Sequence, residues 1–499
     1  MSTSRGTPPT CFVLPDSIGI TQSHCAVVVF VGDRAYKVKK PVDFGFLDFS
    51  TVAARERACR AELELNRRWA PDVYLDLAQV LDGRGVTCDW LVVMRRMPAS
   101  RRLSTLIEQG ADVRRDVEKL ARLVASFHST ARRGPEIDRA GGLSALRRRW
   151  VDNFAGTEPF VGTTIDRAEF DEVVGLVLRY LDGRAPLFDE RVQRGCVVDG
   201  HGDLLADDIF CLPDGPRVLD CLEFDDALRY VDGLDDAAFL AMDLERLGAA
   251  DLARDFLAWY RRFSDDPGVI SLAHHYVAYR AFVRAKVACL RHTQGVPEAA
   301  AQARTLITMA RQHLRTGQVR LVLVGGLQGT GKTTLAGALA DRMGAVLLRT
   351  DQIRRELPGA AGLAAHAGYG RGLYDSSNVH DTYQEMLERT RTLLAHGESV
   401  VLDASWSSAA ERASARVVAE TFAVPSELCC EAPAEVIESR IASRVGDASD
   451  ATVEVAARMS HHFAPWPEAI RIDTSGRPDT AIAAAAEAVA CAQGPVRTR

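Results

Sequence analysis

The chain of 499 residues has no apolar run long enough to cross a bilayer. Its longest runs, such as Cys25–Val31, fall far short of the roughly 20 residues a membrane helix requires. Its first stretch, MSTSRGTPPTCFVLPDS, lacks a basic segment leading into an apolar core, so no secretory signal is expected. Paired C-x-x-C groups are absent, which excludes a cysteine-built zinc site of the usual spacing. The 11 cysteines are scattered, apart from the neighbours Cys429 and Cys430, and read as reduced, mostly buried thiols of a cytoplasmic protein. Positive charge is not in excess either. A formal net charge of −6 gives no global attraction to nucleic acid, and local basic runs such as Arg147–Arg149 read as solvated helix faces. There is no repeat of fixed period and no long low-complexity tract.

What is present is ordinary globular material, 47% hydrophobic and 26% charged, in a length that favours two or three domains. The strongest boundary lies near 295–318. There a helical stretch, SLAHHYVAYRAFVRAKVACLRH, gives way to a linking helix and then to the β-branched strand VRLVLVGG. The expected division is one domain over 1–295, a helical linker over 296–318, a second domain over 319–490 and a tail over 491–499. The first part opens with HCAVVVFVGDRAYKVKK, in which Gly32-Asp33 between apolar runs signals a hairpin. Helical text follows over 51–69, then a strand pair over 74–97 around Asp82-Gly83. Val113, Val117, Leu120, Val124 and Phe127 recur at helical spacing, and 143–184 is again helical. The strands CVVDG and RVLDCLEF bracket the stretch VVDGHGDLLADDIF, after which helical text runs to about 292. A small β-rich lobe followed by a larger helical lobe, with a strand–loop–strand insert, is the α+β architecture of two-lobed kinases.

Phosphoryl transfer asks little covalent chemistry of a protein. It needs a cation on the phosphates, a metal held by carboxylates and a group that positions the attacking hydroxyl. Lys37 or Lys39 on the third strand supplies the cation, and Glu62 in ACRAELELNRR is placed to hold it. Asp203 is the candidate base, Asp220 the candidate metal ligand, and Asp208 ends the loop. His201 reads as a backbone-orienting group, and His128 as a core histidine. Tyr276, Tyr279, Arg280 and Arg284 share a helix face that either lines a cleft or packs.

On GDRAYKVKKPVDFGFLDFST, HGDL and LDCLEFDD, residues 20–292 resemble the aminoglycoside phosphotransferase-like kinases. They resemble more closely the N-terminal half of bacterial bifunctional phosphotransferase and ATP-binding proteins. The resemblance implies that Lys37 meets the nucleotide phosphates with Glu62 as partner, that Asp203 is catalytic and that Asp220 binds metal. The chain departs from the pattern H-G-D-x-x-x-x-N, having Asp208 at the asparagine. It also departs from H-G-D-L-R-P-E-H, having Leu205, Ala206 and Asp207 in place of R-P-E. Asp208 still offers oxygen to Mg2+, so an altered but working kinase site and a degenerate nucleotide-binding lobe both remain open.

The second part carries a pattern of higher specificity. Gly326 to Thr333 satisfies G-x-x-x-x-G-K-[ST], the Walker A pattern, between a strand and a helix. The glycines Gly326, Gly329 and Gly331 let backbone N–H groups converge on phosphate, Lys332 reaches the β- and γ-phosphates, and Thr333 offers a hydroxyl to Mg2+, with Thr334 beside it. Asp351 ends a second strand, ahead of Arg354 and Arg355, and Asp403 ends a third at the place of a second metal- or water-organising carboxylate. Arg440 and Arg444 lie one turn apart before the loop text GDASDAT, as in a lid that closes on phosphate. On TDQIRREL, GYGRGLYDSS, VVLDASW and SRIASR, residues 319–477 resemble the small P-loop kinases: gluconate kinase, chloramphenicol phosphotransferase, zeta toxin and the kinase domain of polynucleotide kinase. This implies a P-loop NTPase fold with a mostly parallel sheet and a catalytic Asp351 that contacts the acceptor hydroxyl. It also implies Arg354 or Arg355 on substrate and Arg440 and Arg444 as lid arginines. Tyr374 and His380 either line the acceptor pocket or pack.

The expectation from the whole chain is an ATP- and Mg2+-dependent phosphotransferase with two kinase-like sites. It acts on a small-molecule hydroxyl such as that of a sugar, nucleoside or antibiotic, and needs neither nucleic acid nor membrane. The alternative is an ATP-gated binding or regulatory protein with a degenerate N-terminal lobe. Neither the acceptor nor the oligomeric state is legible.

Overall fold

The computed structural model describes residues 19–22, 25–43, 48–266, 268–357, 376–442 and 463–492. They fall into two compact units, one within 1–141 and 195–267, the other within 142–194 and 268–499. The fold class expected from the sequence is present: a protein-kinase-like α+β portion and a P-loop portion built on a parallel sheet.

In the first unit, β1 (Gly19–Gln22), β2 (Ala26–Val31), β3 (Arg34–Lys39), β4 (Tyr74–Leu81) and β5 (Thr87–Arg95) form an antiparallel sheet in the order β1-β2-β3-β5-β4. Val31 pairs with Arg34, so Gly32-Asp33 is the whole turn, with Gly32 at φ 59°. That is a conformation glycine adopts at little cost. Helix α1 (Val52–Arg67) starts at Thr51, whose side chain accepts from the Ala54 N–H at 3.1 Å. It buries Cys59 and Leu63 against Val92 and Met94 of the sheet.

The same unit holds α2 (Leu103–Glu108), α3 (Arg114–Thr130) and α4 (Pro135–Gly141). After them come β6 (Val197–Asp199), β7 (Ile209–Leu212), β8 (Gly215–Val218), β9 (Tyr230–Asp232), α8 (Gly233–Arg246) and α9 (Ala250–Ser264). The strand expected over RVLDCLEF is shorter than its apolar text. It stops at Val218, because two residues on the backbone turns through Asp220 at φ 63°. Its partner is β7, while β6 pairs with β9.

The second unit gathers α5 (Leu143–Thr157), α6 (Arg167–Leu181), α7 (Ala185–Gln193), α10 (Ile270–Thr293) and α11 (Ala299–Thr316). Helix α11 carries most of the segment read as a linker, and it buries Ala303, Leu306, Ile307 and Ala310. The remaining elements are β10 (Arg320–Gly325), α12 (Lys332–Met343), β11 (Val346–Arg349), α13 (Thr350–Glu356), α14 (Ser376–Ala395), β12 (Val400–Asp403), α15 (Ala409–Phe422), β13 (Val424–Glu431), α16 (Ala434–Ala442), β14 (Ile470–Asp473) and α17 (Pro478–Cys491). The sheet order is β11-β12-β10-β13-β14, parallel throughout. Strand β10 is central and its Leu321–Val324 are all buried, as a strand covered on both faces requires.

At the carboxyl end of β10 the packing leaves no room for a side chain. A Cβ at Gly325 would lie 2.4 Å from the Trp466 ring. Gly325→Ala is expected to destabilise this unit by about 1–3 kcal/mol, read as a lower Tm in thermal unfolding of the full chain.

Candidate functional site

The glycine loop begins where β10 ends and α12 starts, at the carboxyl edge of the sheet and at its switch point, where doubly wound sheets hold ligands. Gly326, Gly329 and Gly331 have φ of 136°, 85° and 83°. A Cβ at Gly326 would sit 2.6 Å from the Cys430 carbonyl oxygen, and one at Gly329 2.9 Å from Ile437 Cγ2. Conformation and space both demand glycine here. Helix α12 opens at Lys332 after Gly331, with no side-chain cap, so its first N–H groups are left for a ligand. Thr333 and Thr334 follow Lys332 in that first turn.

Asp403 ends β12 directly beside Val324 of β10. It is buried, and its Oδ1 has no hydrogen-bond partner. Its Oδ2 lies 3.4 Å from Arg349 Nε. Burial raises the Asp403 carboxyl above its usual range, against the pull of Lys332 and the neighbouring Thr333 hydroxyl. A buried, unfilled carboxylate oxygen next to that hydroxyl is the oxygen set a nucleotide-bound Mg2+ takes from a protein. The chain leaving β12 is held in an unusual conformation: Trp406, fully buried, has φ 54°. Its N–H donates to Tyr383 Oη at 3.2 Å and its carbonyl accepts from Arg412 Nη1 at 2.7 Å. Such a conformation in a bulky residue costs about 1–3 kcal/mol and persists only where its surroundings fix it. It leaves the Ser405 carbonyl to accept from the Gly326 N–H at 3.2 Å.

Asp351 is in the first turn of α13, where its Oδ1 pairs with Arg354 Nη1 at 2.9 Å, while Arg355 is exposed. Arg440 donates to the Thr474 carbonyl at 2.7 Å, and its Nη1 lies 3.5 Å from where a Cβ of Gly331 would be. His380 is exposed, with Nδ1 3.3 Å from Glu411 Oε1. Arg444 and Tyr374 lie outside the described residues.

In the first unit the structure brings the expected lysine and glutamate together and adds a second lysine. Lys37 and Lys39 lie on the same face of β3, two residues apart. Lys37 Nζ is 2.8 Å from Glu62 Oε1, and Lys39 Nζ is 2.7 Å from Glu62 Oε2. Lys37 also meets Asp220 Oδ1 at 2.5 Å, and Lys39 pairs with Glu223. Burial works against every one of these charges. The opposed partners win, holding both lysines above their usual range and Glu62 and Asp220 below theirs. Asp208 is in the reverse position. Burial first, then the carboxylates of Asp220 and Asp203, push its carboxyl well above the usual range.

The loop that carries Asp203 and Asp208 is fastened by a residue the sequence reading passed over. Asp236, fully buried on α8, accepts from the His201 N–H at 2.7 Å, the Gly202 N–H at 2.9 Å and His128 Nε2 at 3.0 Å. Two turns further along the same helix, Asp243 accepts from the Ala206 N–H at 2.9 Å. The two carboxylates are seven residues apart, on one helix face. That spacing in VDGLDDAAFLAMD was the signal that could have found them. His201 donates from Nε2 to the Leu219 carbonyl at 3.0 Å, and its Nδ1 accepts from the Asp203 N–H at 3.3 Å. Both ring nitrogens are spent on backbone, which makes His201 a strut. Tyr276, Tyr279 and Arg280 are buried in α10.

Among the described residues no three His, Cys, Asp or Glu side chains are arranged to hold a metal ion unaided. A nucleotide-bound Mg2+ takes one or two carboxylates and completes its shell with phosphate and water, so Asp208 and Asp220 suit that role. The raised Asp208 carboxyl has a consequence for stability. A folded-state pKa above the unfolded value gives stability that is fully present below the unfolded pKa of about 3.9 and is lost as pH rises through the folded one. Without Mg2+, Asp208→Asn is therefore expected to melt higher than the parent chain at neutral pH, with the difference vanishing near pH ~4. Tm measured against pH checks it.

A family described as AAA domain matches residues 321–466. Two curated proteins, Uncharacterized protein Rv2004c of Mycobacterium tuberculosis and Uncharacterized protein Mb2027c of Mycobacterium bovis, are each 45% identical over 461 residues, 92% of this chain and 93% of theirs. Among solved structures, a sugar kinase from Janibacter is similar over 34% of this chain and 94% of its own, at 23% identity and a TM-score of 0.29. A choline/ethanolamine kinase family protein from Mesorhizobium loti is similar over 62% and 95%, at 12% identity and a TM-score of 0.37. An aminoglycoside 2'-phosphotransferase-IIIa in its GDP complex is similar over 59% and 92%, at 14% identity and a TM-score of 0.37. With nearly the whole length shared at 45% identity, this chain belongs to the family of the two mycobacterial proteins.

Proposed function

We propose that this chain is an ATP- and Mg2+-dependent phosphotransferase that acts on a hydroxyl of a small molecule in the cytoplasm, through a P-loop site and a second, altered kinase site. The observation that carries the reading is the unfilled, buried Asp403 oxygen beside Lys332 and Thr333 at the mouth of the glycine loop. In this reading the loop N–H groups and Lys332 bind the β- and γ-phosphates, and Thr333 and Asp403 hold Mg2+. The metal supplies charge neutralisation on the phosphates. Asp351, held by Arg354, orients the acceptor hydroxyl and takes its proton, while Arg440 and Arg444 bring positive charge to the transferred group. In the other site Lys37, set by Glu62, meets the phosphates. Asp203 orients the acceptor, and Asp208 with Asp220 holds metal. The division into 1–295, 296–318, 319–490 and 491–499 belongs to this proposal.

One observation favours the second reading, a nucleotide-gated regulatory lobe. Lys37 is paired with Asp220 as well as with Glu62, so the cation that would meet phosphate is already neutralised. Acceptor-dependent ADP release from Mg-ATP, screened over sugars, nucleosides and antibiotics, separates the readings. Lys332→Ala is expected to lower turnover at the P-loop site about 10²-fold or more, and Asp203→Asn to remove a slower, Mg2+-dependent activity that survives in Lys332→Ala. ATP binding without ADP release across the screen would replace the phosphotransferase reading with the regulatory one.

A further inference from the structure

Away from the glycine loop, the second unit has a small, partly open cavity that is short of negative charge. It lies among α6, α10, the end of α11 and the amino ends of β10 and β13, whereas the glycine loop follows the carboxyl end of β10. Its volume is about 20 Å³, enough for one water or an ion of that size. Arg179, Arg184, His275 and His313 all border it, and no Asp or Glu does.

Arg184 is the unusual member. It is 1% exposed and has no ion-pair partner among the described residues. Its Nη2 donates to the Phe422 carbonyl at the end of α15, while Nε and Nη1 have no acceptor. The guanidinium carbon lies 5.4 Å from the Tyr180 ring centre. A buried charge left with one backbone carbonyl is costly, since such groups are otherwise paired. The partial negative charge at the end of α15 offsets a fraction of that cost.

His275 adds a further unfilled donor. The Trp150 indole can only donate, so His275 Nε2, 3.1 Å from Trp150 Nε1, must accept. The proton of the neutral ring is then on Nδ1, which has no partner. Burial, with Arg184 close by, holds His275 neutral by bringing its pKa down to about 3. Tyr180 and Ser271 do not supply the missing acceptor. The Ser271 hydroxyl donates to the Gly397 carbonyl at 2.8 Å, and Tyr180 Oη is 3.2 Å from Ser271 Oγ, so the tyrosine proton is directed there. Two residues that border this one small pocket thus carry three buried donors with no acceptor.

We propose that this cavity is a binding site for a halide-sized inorganic anion, held by Arg184 Nε and Nη1 and by His275 Nδ1. The site is separate from both phosphate-binding regions, and its anion is part of the folded state of the second unit.

The probe is chloride, with bromide as its heavy equivalent, added to the full chain in gluconate buffer at constant ionic strength. The expected result is a saturable rise in Tm of a few degrees, and an anomalous peak from bromide within hydrogen-bonding reach of Arg184 in crystals of the parent chain. Arg184→Met is expected to lose the chloride-dependent rise. It should melt no lower than the parent chain in gluconate, because an apolar side chain replaces an unpaired buried charge. No chloride-specific rise together with no bromide peak would overturn the proposal. So would a full rise retained in Arg184→Met, which would place the anion elsewhere. If Arg184→Met does not fold, Arg184→Lys serves: a weaker rise than the parent supports the site, and an unchanged one rejects it.

Discussion

Glu62 has no exposed surface, and its charge persists there because Lys37 and Lys39 each hold one of its oxygens. Much of the first unit follows from that arrangement. It fixes α1 against β3, since the carboxylate must reach two lysines on one strand face. It carries through Lys37 to Asp220 and through Lys39 to Glu223, so the segment after β8 is tied to the sheet by charge. Glu62 or Lys39 alone would be a heavily penalised buried ion; together with Lys37, Asp220 and Glu223 they form a charge-balanced network. Of the two lysines Lys37 is the more exposed, and its other partner, Asp220, is the most open member of the network.

The two candidate sites are built from different materials. The P-loop region uses backbone: glycines with left-handed or extended positive φ, a helix start without a cap, and a strand end where no Cβ fits. The kinase-like region uses side chains on separate elements, held by second contacts from Asp236 and Asp243 beneath the loop. The first kind of site is rigid by conformation, the second by hydrogen bonds to a buried helix face. Trp406 shows the limit of the first kind. Its strained backbone is tolerated because Tyr383 and Arg412 hold both of its peptide groups.

This difference decides what the sequence made legible. The glycine loop is contiguous, so its spacing carries its geometry, and the residues from Gly326 to Thr334 lie at a strand end and helix start as read. The Gly32-Asp33 turn and the helix after Thr51 were legible for the same reason, being set by local chemistry. Glu62 and a lysine at 37 or 39 were read from the needs of phosphoryl transfer, and only resemblance chose Lys37, because strand text does not say which of two same-face lysines meets a partner in a helix. Asp236 was not recognised, since its partners are backbone N–H groups 34 and 35 residues earlier, which leave no mark in composition. The turn at Asp220 was hidden as well. The text RVLDCLEF is strand-like throughout, and only the pull of Lys37 and the Tyr74 hydroxyl on Asp220 shows why pairing ends.

The placement of Lys37 and Lys39 on one strand face has an evolutionary corollary. Side chains alternate along a strand, so gaining or losing a single residue between Arg34 and Lys37 would swing both ammonium groups to the opposite side and strand Glu62 in the dry interior. A length change of that kind near Gly83 would be absorbed by the longer turn that joins β4 to β5. Descendants of this chain are therefore free to drift in size at one hairpin and confined to a fixed count at the other, and an alignment of them would show gaps at the first and none at the second.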